Sequence, residues 1–239
     1  MDDPADIWTI DGSLNTLSDR PGMDSQKTDT FGLKVIRENT YNQFQSLTST
    51  TDTDVVFSYD ADWGNTNSHA PYTYDYFSET LRARESLSQE FRFVSNDRYK
   101  TERLPFDWVV GFSYLKLNET NDRQDDGIYG DPNDPFSPYS SLVTSNSDYS
   151  STNISVFGNI EYEFTGFTKL SLGLRMEDWS AKYFDSNDER FNPSDSMMGG
   201  KVSLTHAFDE DKNVFANYAK GYKQGGFNIG LGLLDSTTS

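Results

Sequence analysis

The 239-residue chain contains no cysteine and only two histidines, His69 and His206. Disulfides, thiolate nucleophiles and Cys-based zinc sites are therefore excluded, and a histidine metal cluster or catalytic triad lacks its parts. Bases are scarce too: 20 Lys+Arg stand against 38 Asp+Glu, a formal charge of −18. Phosphate backbones would be repelled, so nucleic acid is not expected as a partner. Long apolar runs are missing. The densest patch, Trp108-Val109-Val110-Gly111-Phe112, falls far short of the roughly 18 residues of a transmembrane helix. The opening Met1-Asp2-Asp3-Pro4-Ala5-Asp6 has neither the basic start nor the apolar stretch of a signal peptide.

What the chain has instead is aromatic rings, with 17 Phe, 14 Tyr and 4 Trp making 15% of it. Low hydrophobicity (34%) and high acidity suggest disorder, because such chains bury too little surface to offset their conformational entropy. Disordered chains are poor in aromatics, so these rings must pack against something.

Helical periodicity is nearly absent, whereas apolar and polar residues alternate in several stretches. Ile154, Val156, Ile160, Tyr162 and Phe164 form one stripe, and Leu170, Leu172, Leu174 and Met176 the next. Val202, Leu204 and Phe208 follow, with His206 on the same side, then Val214, Ala216 and Tyr218. Earlier stripes are Phe31-Leu33-Val35, Leu87-Phe91-Phe93 and the ring-rich Phe106-Trp108-Val110-Phe112-Tyr114, with a weaker one in 43–58. About eight strands result, each near the roughly 9–11 residues of a tilted membrane-crossing strand. Short connections near 38–42, 96–104, 165–167 and 209–213 alternate with long polar ones near 59–84, 118–150 and 185–197. That sorting describes an all-β, antiparallel up-and-down meander.

Side-chain parity fixes the expected hairpins. A three-residue loop at 165–167 sets Phe164 opposite Thr168, Tyr162 opposite Leu170 and Glu163 opposite Lys169. A five-residue loop at 209–213 sets Phe208 opposite Val214. The polar faces carry Lys34, Glu90, Arg92, Glu161, Glu163, Arg175, Glu177 and Lys201. Such charges suit a water-filled lumen or a solvated outer surface. Rings near strand ends fit an interfacial girdle in the first case and a sandwich core in the second.

Ser88-Gln89-Glu90-Phe91-Arg92-Phe93-Val94-Ser95 followed by Trp108-Val109-Val110-Gly111-Phe112-Ser113-Tyr114 resembles a consecutive strand pair of the TonB-dependent outer-membrane receptors. Asn213-Val214-Phe215-Ala216-Asn217-Tyr218-Ala219-Lys220-Gly221-Tyr222-Lys223-Gln224-Gly225-Gly226-Phe227-Asn228 resembles a recurrent barrel segment, and is the more specific of the two. The resemblance implies that residues 31–228 are part of a larger transmembrane β-barrel of about 22 strands, closed around a plug. It also implies location in the outer membrane of a Gram-negative bacterium, contact with outer-membrane lipid, and energy delivered by TonB through the plug region. The expected cargo is a scarce nutrient, an iron–siderophore complex first of all. No plug or TonB-contacting segment is recognisable, so the chain is expected to be a barrel fragment. Residues 1–30, with seven acids and two bases, read as a loop-like acidic segment, and 229–239 as a truncated loop end.

Candidate ligand contacts are loop aromatics that can stack on a planar chelate or sugar: Trp63, Tyr72, Tyr74, Tyr76, Tyr129, Phe136 and Tyr139. They can equally pack the loops together. Glu90, Arg92, Glu161, Glu163, Arg175 and Glu177 are expected to line the lumen. Glu161-x-Glu163 has the look of a glycosidase pair, but the matching apolar stripe favours lumen lining, and no catalytic residue, metal or cofactor is assigned. Asp60-x-Asp62 with Gly64 and Asn65, and Asp125-Asp126 through Asp131 and Asp134, offer hard oxygens without EF-hand spacing; solvated loop acids are the plainer reading. The 1–30 segment and the three long connections hold 22 acids and 6 bases, which places an acidic rim at the extracellular side. Two other readings stay open: a soluble carbohydrate-binding β-sandwich and a small structural outer-membrane barrel.

Overall fold

A computed structural model describes residues 18–65, 67–209 and 211–225. Alternating side chains and turn-forming connections give one antiparallel sheet: β1 (Met23–Glu38), β2 (Asn42–Asp60), β3 (Thr73–Ser95), β4 (Phe106–Gly130), β5 (Tyr139–Thr165), β6 (Thr168–Asp185), β7 (Arg190–Phe191), β8 (Ser194–Ala207) and β9 (Asn213–Lys220). Neighbours in sequence are neighbours in the sheet, except that the two-residue β7 pairs only with β6. The expected meander is therefore present, and the soluble-sandwich reading fails: the described residues form one sheet, not two packed face to face.

Strand length departs from expectation. β3, β4 and β5 run for 23, 25 and 27 residues, more than twice what a bilayer crossing needs. They absorb most of the segments read as long loops, leaving connections of 61–72, 131–138 and 186–193. Polar residues replace the apolar stripe in these upper halves, which is why alternation of hydrophobicity stops while the ladder continues. β1 likewise starts at Met23, inside the segment read as acidic loop. The tail 229–239 and the last residues of the family motif, Gly226-Phe227-Asn228, lie outside the described residues, as does 1–17.

Register carries the apolar stripes onto one face. Phe31 pairs with Thr50, Thr50 with Leu87, Leu87 with Lys116 and Lys116 with Thr152. On that face Phe91 pairs with Phe112, Phe112 with Val156, Val156 with Met176 and Met176 with Met198. These side chains stay exposed, forming an outward apolar belt. The opposite face is the crowded one. Along β6 the buried residues are Glu177, Trp179, Ala181 and Tyr183, all on that side, and Tyr149 and Tyr222 pack against the Trp179–Ala181–Met197 cluster. No helix among the described residues is long and apolar enough to cross a membrane.

Two registers differ from expectation. Thr165 pairs with Thr168, so the β5–β6 turn is Gly166-Phe167, and the ladder shifts between Glu163 and Thr165. Phe164 therefore does not oppose Thr168, although Tyr162–Leu170 and Glu163–Lys169 pair as expected. In the β8–β9 hairpin His206, not Phe208, opposes Val214. The slip is two residues, which leaves parity and the apolar face intact. The β3–β4 connection holds a short helix, α1 (Asp97–Glu102), capped where the Asn96 side chain accepts from the Tyr99 N–H.

Candidate functional site

The 61–72, 131–138 and 186–193 connections gather at one end of the sheet, and the candidate aromatics divide there into two groups. Tyr74 and Tyr76 are not loop residues but belong to β3. Tyr129 ends the ladder of β4, and Tyr139 opens β5. All four share the inner face, because Tyr74 pairs with Tyr129 and Tyr129 with Tyr139. Ring centroids lie 4.6 Å apart for Tyr74–Tyr76 and 6.4 Å for Tyr74–Tyr129, and the His69 ring joins Tyr74 at 5.3 Å. Tyr76 lies over Gly127, its cross-strand partner, where a Cβ would meet the ring at 2.2 Å. The glycine thus makes room for the ring to lie flat. The Tyr139 hydroxyl donates to Asp134, whose carboxylate also accepts from the Phe136 N–H. These bonds, the Tyr139 hydroxyl first, hold the Asp134 carboxyl below its ordinary pKa.

Trp63, Tyr72 and Phe136 stand apart in loops. Trp63 and Phe136 are 78% and 81% exposed, and Trp63 holds a left-handed backbone (φ 60), a conformation uncommon for a bulky residue. Tyr72 donates its N–H to the His69 carbonyl.

Below this tyrosine shelf the inner wall is charged. Arg84 bonds Glu119 with Arg82 close by, and Arg123 bonds Asp125. Sequence reading missed these residues because they fall in segments taken as loops. Their signal was the even spacing of Arg82 and Arg84 with Tyr76, Ser78 and Thr80. Deeper, Glu90 pairs with Arg92, while Lys169 bonds Glu161 at 2.7 Å rather than its register partner Glu163. Glu163 lies 3.8 Å from Lys100, which also bonds Asp107. All six expected lumen residues sit on this one face. Glu177, 6% exposed, is its hub: it accepts from Asn153 Nδ2 (2.7 Å), Arg175 Nη2 (2.8 Å), Tyr222 OH (3.0 Å) and Gln224 Nε2 (2.6 Å). The segment 221–225, following β9, is thereby folded back across the inner wall. His206 faces outward, its Nδ1 2.8 Å from Thr168 Oγ1.

An exposed apolar belt and a charged inner wall are the parts of a lipid-embedded barrel wall. The sequence matches the family described as "TonB dependent receptor-like, beta-barrel" over residues 3–237. The chain belongs to that family. Its members are outer-membrane receptors of Gram-negative bacteria, a class of transporters rather than enzymes. No curated protein matches the sequence. Among solved structures this receptor barrel is similar to the ferric yersiniabactin uptake receptor FyuA from Yersinia pestis (TM-score 0.58, 13% identity), covering 80% of this chain and 27% of that one. The ferric-catecholate import receptor Fiu from E. coli K12 gives 0.58 and 15%, covering 86% and 37%. The copper transporter OprC gives 0.56 and 14%, covering 84% and 31%. The receptor barrel described here thus spans about a third of the length of these relatives, and the likeness is one of fold.

Proposed function

We propose that the chain is barrel wall of an outer-membrane receptor that takes up a scarce nutrient, with an iron–siderophore complex as the cargo. The observation that carries this reading is the tyrosine shelf. Tyr74, Tyr76 and Tyr129 converge on the inner face at the loop-bearing end of β3 and β4, where a ligand entering a barrel from outside meets the wall. Tyrosine faces stack on planar chelates and their hydroxyls bond polar edges. Tyr139 joins them by register, and Trp63, Tyr72 and Phe136 reach the same mouth from the loops. Glu90, Arg92, Glu161, Glu163, Arg175 and Glu177 line the lumen beneath, facing a plug elsewhere in the receptor through which TonB delivers energy. The similar ferric yersiniabactin uptake receptor and ferric-catecholate import receptor support this substrate class.

The test is uptake of radiolabelled iron from defined ferric siderophores by cells carrying the intact natural receptor, with and without a working TonB. TonB-dependent accumulation from one chelate, lost in a Tyr74→Ala/Tyr129→Ala variant that still reaches the membrane, is expected. Undiminished uptake in that variant would remove the shelf from the ligand path.

A further inference from the structure

Asp60, the last residue of β2, is 6% exposed, and both its carboxylate oxygens are sealed from solvent without a hydrogen-bond partner. A bare buried carboxylate is costly, and a cation beside it offsets that cost. Its surroundings are anionic. Asp60 pairs with Phe77 and Phe77 with Asp126, while Asp75 lies two residues from Phe77 on the same strand face. Three carboxylates therefore ring one phenylalanine on the outer face, above the apolar belt. A cation there, Arg20, sits 4.3 Å over the Phe77 ring. Its Nη1 donates to Asp75 (3.2 Å) and Asp126 (3.0 Å) and leaves Asp60 unpaired. Two residues on, Asp62 adds a fourth carboxylate: Oδ1 accepts from the Gly64 N–H and Oδ2 from the Tyr76 N–H, which leaves lone pairs free. A divalent ion offsets two of the uncompensated charges.

We propose that Asp60 anchors a calcium site at the extracellular rim, with Asp62 and main-chain carbonyls of the 60–64 turn as further ligands. Among the described residues no three acidic or imidazole side chains converge to hold a metal by themselves. Calcium takes six to eight oxygens, at about 2.3–2.6 Å, and accepts carbonyls and water among them in flexible geometry. A calcium ion is smaller than a water molecule, so a gap between oxygens that is closed to water has the size to hold the ion. The reading of Asp60 as a solvated loop acid does not survive its burial. The ion ties three pieces together: the strand end of β2, the 61–72 loop, and β3 through the Asp62–Tyr76 bond. It thereby sets the backbone beneath the tyrosine shelf, whatever that shelf binds.

The experiment uses the intact natural receptor in detergent, stripped with a chelator and titrated with calcium chloride or magnesium chloride. Calorimetry counts the ions and a thermal scan follows the unfolding midpoint. Asp60→Asn should lose one calcium equivalent and the associated rise in midpoint, and without calcium should melt no lower than the wild type. Asp54→Asn, an exposed acid on the same strand face, should keep both. Equal stoichiometry and equal midpoint shifts in the wild type and Asp60→Asn would overturn the proposal, as would no calcium response in either. Limited proteolysis of the wild type covers the case where the variant does not fold. Calcium should slow cleavage within 61–72 several-fold and magnesium should not; identical rates with calcium and chelator would also overturn the site.

Discussion

Glu177 holds four side chains from three parts of the chain, so its loss is felt well beyond its own position. Glu177→Ala strips partners from Asn153, Arg175, Tyr222 and Gln224. Hydrogen bonds to a charged group contribute about 1.5–3 kcal/mol each, but Arg175 is half exposed and regains water. The expected net loss is therefore about 2–3 kcal/mol, read from the urea midpoint of the receptor in detergent. The 221–225 segment should at the same time become open to proteases. Glycine pairs make a second residue-scale case. Gly127→Val pushes Tyr76 off its seat, and the overpacking should cost about 1–3 kcal/mol and weaken ligand binding. Gly111→Val, under Phe157, should cost a similar amount and leave ligand binding unchanged. Trp63→Gly relieves a left-handed backbone and should stabilise the receptor by about 1 kcal/mol; any loss of affinity in that variant reports a contact made by the indole.

At the scale of elements, β5 carries two environments along one face. Val156 lies in the apolar belt, whereas Thr144, on the same outward side, lies on the polar upper extension. Val156→Arg should cost about 2–4 kcal/mol and Thr144→Arg close to nothing, the depth dependence that a bilayer imposes and water does not. The 131–138 loop has its own pH response. A carboxyl held below its ordinary pKa contributes order that is complete above the ordinary value and is lost as pH falls through the lowered one. Loop opening, followed by a spectroscopic probe at Phe136, should therefore occur on the acid side of the ordinary carboxylate range. In Tyr139→Phe the midpoint should move up, since the larger of the two bonds to Asp134 is gone.

For the molecule as a whole, β1 and β9 each have a single neighbour among the described residues, and most of the apolar belt on the outer face is exposed. Unpaired edges and a wide apolar face promote association. Residues 1–239 expressed alone should aggregate in buffer without detergent. A monodisperse monomer by light scattering would contradict the barrel-wall reading.

The chain's own alternation determined the class of fold, the apolar face and the face that carries charge, because period-two patterning is local. The β4–β5–β6 stripes and the Tyr162–Leu170 register were legible for that reason. Strand length was not. Once a strand leaves the bilayer nothing requires its outward residues to be apolar, so the upper halves of β3, β4 and β5 looked like loop. Their ladders continue through main-chain hydrogen bonds and cross-strand pairs such as Arg84–Glu119, which carry no apolar alternation. The same blindness hid the shelf, for Tyr74, Tyr76 and Tyr129 share a face only through cross-strand register, and hid Arg82, Arg84 and Arg123 beneath it. Tertiary structure alone decided the fate of the acids. In sequence Asp60 and Asp54 are equivalent members of an acidic strand; in the fold one is solvated and the other is sealed beside Phe77 with no donor to meet it. Charge is a property of the residue, but its cost is a property of the place where the fold puts it.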